Sequence, residues 1–128
     1  MKYLIALAFI MTSACRTDES VTAFAGNVAV FTLQSIDGAV FAAMATINVS
    51  KAGKITGRGP CNRYFADQTA PYPWFNTGPI GSTRMTCSGL TAEAQFFDAL
   101  RTMTLVEFLG GTLILSDNNG REMLFQVP

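Results

Sequence analysis

Residues 105–127 read LVEFLGGTLILSDNNGREMLFQV. Short runs of leucine, isoleucine, valine and phenylalanine are separated by Gly110-Gly111 and by Asp117-Asn118-Asn119-Gly120. These are residue types that accept positive φ or bond to their own backbone in tight reversals. The stretch therefore reads as a three-stranded antiparallel meander. Working back along the chain, Thr46-Ile47-Asn48-Val49 alternates polar and apolar, and Lys51-Ala52-Gly53-Lys54 turns it into Ile55-Thr56-Gly57, a hairpin. Earlier still, Val28, Val30 and Leu33 recur in NVAVFTLQ, ahead of an Asp37-Gly38 turn and then Val40 and Phe41. One segment has a different period. Thr91 is placed to cap a helix, Glu93 sits where the helix dipole favours a negative charge, and Phe96, Leu100 and Met103 recur at helical spacing with Phe97 widening the face. Strands dominate and no parallel βαβ rhythm is present. The expected class is α+β, a curved antiparallel β-sheet or small barrel-like sheet with one packed α-helix.

The composition narrows the function. With 49% apolar and 14% charged residues, the 128-residue chain has the makings of one compact core. Lysine plus arginine number 9 and aspartate plus glutamate 9, a balance that leaves no field for a nucleic acid backbone. Histidine is absent, which removes the usual general base and the usual transition-metal ligand. No enzyme, cofactor or metal site is expected on that ground. The 3 cysteines are an odd number, which calls for one with a separate use.

That use is at the N-terminus. A short positive start is followed by LIALAFIM at residues 4–11 and by the small Thr12, Ser13 and Ala14, the layout of a secretory signal. As a helix the apolar run covers roughly 12 Å, short of the roughly 30 Å needed to span a bilayer. Ser13-Ala14-Cys15 resembles the lipobox of bacterial lipoproteins, although Thr12 stands where that pattern prefers leucine. The resemblance implies a signal peptide over residues 1–14, a lipidated N-terminus and linker over 15–26 beginning at Cys15, and a domain over 27–128. A lipoprotein cysteine carries several acyl chains, enough for stable membrane attachment. Arg16 in place of aspartate, by resemblance to enterobacterial sorting, points to the outer membrane, with the domain facing the periplasm.

Two further stretches carry a family likeness. Residues 57–65, GRGPCNRYF, are similar to the G-x-G-G-C-N-x-[FY] segment of META/HslJ domains, and residues 78–87, GPIGSTRMTC, to their I-G-P-[IL]-A-S-T-x-M-A-C segment. Pro60 replaces a usual glycine, Gly81 and Thr86 replace usual alanines, and residues 70–75 (APYPWF) are a less typical insert. The resemblance implies a β-rich bacterial envelope domain, sometimes linked with heat shock or resistance to inhibitory compounds.

Within these motifs each residue has a structural and a functional reading. Cys61 and Cys87 lack the C-x-x-C spacing of a redox pair and the companions of a zinc site. An oxidising compartment favours a disulfide over two buried thiols. Asn62, Arg63, Tyr64, Thr83, Arg84 and Met85 form a family motif that could be a binding patch. On the structural reading, Asn62 serves a turn, Thr83 bonds backbone, and the arginines snorkel along the surface or pair with carboxylates. Tyr64, Tyr72, Trp74 and Phe75 could stack a ligand or fill the core. The expected function is a non-catalytic envelope lipoprotein that binds or stabilises another envelope component, with stress as the expected setting. The alternative is a carrier of a small apolar ligand within the sheet, resembling secretion-system pilot proteins.

Overall fold

The computed structural model describes residues 19–26 and 30–128. The expected signal peptide, the Cys15 anchor and Val28 lie outside the described residues. The elements are α1 (Val21–Phe24), β1 (Val30–Ile36), β2 (Ala39–Val40), β3 (Thr46–Asn48), β4 (Lys54–Arg58) and β5 (Arg63–Asp67). After these come β6 (Gly81–Ser82), α2 (Leu90–Thr102), β7 (Leu105–Leu109), β8 (Thr112–Ser116) and β9 (Glu122–Gln126).

All the strands join one 9-stranded sheet in the order β6-β5-β4-β3-β1-β9-β8-β7, with β2 added beside β1. Every pairing is antiparallel. The fold is α+β with an open, curved sheet rather than a closed barrel. The expected meander and the hairpin through residues 51–54 are both present. Buried and less buried residues alternate along β3, β5, β8 and β9, whereas in β1 the inward residues are Phe31 and Leu33, so Val30, read together with Leu33, lies on the opposite face. The first turn is tied down by Asp37, at φ 53°. Its Oδ1 accepts the Glu122 N–H at 3.0 Å, and its Oδ2 accepts Arg121 Nε and Nη2 at 3.2 and 3.1 Å. The Glu122 amide first, and then Arg121, hold the Asp37 carboxyl below the usual carboxylate range.

The inward faces of the strands and the apolar stripe of α2 form one core. Phe31, Ile47, Tyr64, Leu113 and Phe125 from the sheet meet Phe96, Phe97 and Leu100 from the helix. Tyr64 packs edge-on against Phe96 and Phe97, with both ring centroids 5.4 Å away. The packing is close enough to dictate backbone. A Cβ at Gly57 would fall 2.2 Å from the Thr46 carbonyl oxygen and 2.8 Å from the Tyr64 ring, so glycine sets how closely β3 approaches β4.

Two details differ from the sequence reading. Thr91 does not cap α2: the cap position is Gly89, with no side-chain bond, and Thr91 lies within the first turn. The entry is fixed from outside the helix, by the Cys61–Cys87 bridge and by the Gly89 N–H donating to Cys87 Sγ at 3.3 Å. Residues 19–26, read as the end of a linker, carry a helical turn seated on the domain. Val21 is buried, Phe24 stacks on Tyr72 at 4.0 Å, and Tyr72 donates its N–H to the Glu19 carbonyl at 2.7 Å. Val21 and Phe24 are an apolar i,i+3 pair, enough to hold one turn against the aromatic surface.

Candidate functional site

The connection from β4 to β5 runs through Gly59-Pro60-Cys61-Asn62 and is closed by the Gly59 N–H donating to the Asn62 carbonyl at 2.7 Å. Such a turn leaves backbone donors pointing inward, and they need acceptors. Glu93, from the first turn of α2 and only 4% exposed, supplies them. Its Oε2 accepts the Cys61 and Asn62 N–H groups at 2.8 and 2.6 Å, and its Oε1 accepts Asn62 Nδ2 at 2.7 Å. Gly59 makes room for this carboxylate, since a Cβ there would lie 2.6 Å from Oε2.

Asn62 passes the connection on to the second motif. Its Oδ1 accepts the Thr83 hydroxyl at 3.0 Å and the Met85 N–H at 2.6 Å. Thr83 Oγ1 in turn accepts the Arg63 N–H at 3.1 Å, while the Thr83 N–H donates to the Arg63 carbonyl at 3.0 Å. The Cys61–Cys87 disulfide, with Cα atoms 6.0 Å apart, fastens the same two segments covalently. Both motifs and the start of α2 are thus one cross-linked unit.

The six motif residues divide into three roles. Asn62 and Thr83 are committed to internal bonds. Tyr64 turns into the core, donating its hydroxyl to the Thr46 carbonyl at 2.7 Å, and burial pushes its phenol well above the usual range. Arg63, Arg84 and Met85 project outward as exposed side chains. Among the aromatics, Phe75 and Tyr64 fill the core at 2% exposure each, Tyr72 is half-buried, and Trp74 is 57% exposed. Cys15 lies outside the described residues.

Three participants escaped the sequence reading: Glu93 as a buried hub, Arg58 and Met44. The signal for Glu93 was available. It precedes Phe96, Phe97 and Leu100 by three, four and seven residues, which puts a carboxylate on the apolar stripe, where it needs partners. Arg58 stands inside the first motif and becomes notable only through its register opposite Arg63, and Met44, in the loop before β3, carries no local signal.

Outside the cross-linked unit lies an open cleft of about 530 Å³, bordered by Met44, Arg58, Pro60, Arg63, Thr83 and Met85. Met44 and Met85 are 63% and 62% exposed. The carboxylate beneath the cleft, Glu93, has both oxygens engaged by N–H donors of the chain itself. Among the described residues, no group of three or more acidic or cysteine side chains is placed to hold a metal ion. What the cleft offers is guanidinium groups and thioethers, which suit recognition.

A family model described as the META domain matches residues 27–128. No curated protein matches the chain. Among solved structures, an NMR structure of a protein from Burkholderia xenovorans is similar, with a TM-score of 0.62 and 21% identity, over 92% of this chain and 95% of that one. A second NMR structure gives a TM-score of 0.59 and 17% identity over 77% and 87% of the two chains. The crystal structure of a duf4847 family protein from Bacteroides vulgatus gives 0.51 and 18% over 64% and 57%. At these identities the likeness extends to the fold.

Proposed function

Since this chain belongs to the META domain family across residues 27–128, we propose that it is a non-catalytic envelope lipoprotein. In this reading it is anchored through Cys15 in the outer membrane, facing the periplasm, and its domain binds or stabilises another envelope component through the cleft beside Met44 and Met85. The observation that carries the reading is the division of labour in the motifs. Asn62, Thr83 and Glu93 are used up in holding the two segments together, and the groups left facing solvent are arginines and methionines. Such a rigid base with exposed side chains on it fits a binding surface. A carrier would need an apolar chamber within the curve of the sheet, and Phe31, Tyr64, Phe96 and Phe125 stand there, each at 2% exposure or less.

Two measurements test the reading. Cys15→Ser should abolish incorporation of a fatty-acid analogue, and equal labelling of both proteins would remove the anchor. Met44→Asp with Met85→Asp, both at exposed positions, should leave the circular dichroism spectrum unchanged. The double variant should lose an envelope component that co-purifies with the wild type in mild detergent. Identical co-purifying sets from the two proteins would refute the cleft as the binding surface.

A further inference from the structure

Arg58 and Arg63 are directly opposed across β4 and β5, so their side chains leave the sheet on the same face. Like charges in that position repel, and a carboxylate nearby would ordinarily offset the repulsion. None does. The ion pairs among the described residues are Lys54–Asp67, Arg101–Asp98 and Arg121–Asp37, which leaves Arg58, Arg63 and the neighbouring Arg84 without an acidic partner. In a chain with formal net charge +0, this is a local concentration of positive charge. It borders the cleft of about 530 Å³, whose other walls include Met44, Met85 and Pro60. Guanidinium groups are planar donors matched to phosphate and carboxylate oxygens, and thioethers adapt to apolar surfaces of varied shape.

We propose that the cleft is a site for a phosphate-bearing anionic amphiphile, with Arg58 and Arg63 gripping the phosphate and Met44 and Met85 covering the apolar part next to it. The proposal rests on the cleft being the binding surface, and it names the chemistry of the ligand. Neither arginine has to be reoriented away from an internal partner, so the site is available without a change of fold. The lipid anchor expected at Cys15 would hold the domain within reach of such headgroups, raising their effective concentration.

The test uses the full chain in a non-ionic detergent, followed by amide chemical shifts. The probes are short-chain phosphatidylglycerol, short-chain phosphatidylcholine and inorganic phosphate. Phosphatidylglycerol should move the signals of Arg58, residues 61–63 and residues 83–85 in a saturable way. Arg58→Gln with Arg63→Gln, both at exposed positions, should weaken that binding by about tenfold or more, the scale of a lost charge-assisted contact. Lys51→Gln, in the turn that precedes β4, should leave it unchanged. Equal binding of phosphatidylcholine would overturn the anionic requirement, and inorganic phosphate binding as tightly as the lipid would overturn the amphiphile. Loss with Lys51→Gln as large as with the arginine pair would reduce the effect to diffuse surface charge and refute the site. If no lipid binds while the methionine variants still lose their envelope component, the ligand assignment fails and the cleft survives as a binding surface.

Discussion

Glu93→Ala should destabilise the domain by about 3–5 kcal/mol, because it takes the acceptor from several N–H donors at once. Three N–H donors, from the Cys61 and Asn62 backbones and the Asn62 side chain, lose their acceptor together. Leaving a buried donor unpaired costs about 1–3 kcal/mol, and water entering the space would relieve part of the sum. Urea unfolding measures it. Glu93→Leu should be equally damaging although it fills the space, because the missing quantity is acceptors, not volume. Glu93→Gln, which keeps one acceptor oxygen, should fall between the wild type and these variants. A loss below about 1 kcal/mol for the alanine and leucine variants would mean that the hub carries no weight in the fold.

Removing the disulfide should cost a comparable amount. Cys61 and Cys87 are 26 residues apart in sequence, and the chain-entropy model gives about 3.5 kcal/mol for a loop of that length. Typical domains are stable by only about 5–15 kcal/mol, so either change alone consumes a large share. Reduction, and Cys61→Ala with Cys87→Ala, should each lower the melting temperature by about ten degrees or more, and the double variant should no longer respond to reductant. Unchanged melting in both would refute a structural bridge. The two perturbations act on the same loop, so combining Glu93→Ala with the cysteine pair should not be additive. Once the loop has lost one tether, the second restrains a segment that is already loosened.

The fold was legible where a side chain's neighbours are close in sequence. Residues 105–127 announce their own turns, and the stripe of Phe96, Phe97 and Leu100 needs only the helical period. The site was harder to see, because its parts come from different elements. Asn62 was read as a turn residue, and it is one, but its side chain also reaches Met85 and Glu93, which no local rule anticipates. Thr91 looked like the better cap by residue type, yet the bridge at Cys87 fixes where the chain enters α2 and moves the start to Gly89. Phe24 looked like part of a spacer until Tyr72 supplied a surface for it. In each case tertiary contacts decided what propensity left undetermined.

β1 lies between β3 and β9, and its register places Thr32 opposite Gln126. During synthesis the central strand therefore has an empty side until residues 122–126 have been made. A nascent chain can form the β4–β5 hairpin early, but Phe31, Leu33 and Ile36 have no cover from Phe125 and Met123 while residues 122–126 are still inside the ribosome. Pairings this distant in sequence form slowly even in a complete chain. A sheet whose centre waits for β9 leaves the earlier strands open until that segment arrives, a timing that would suit any route requiring passage before folding.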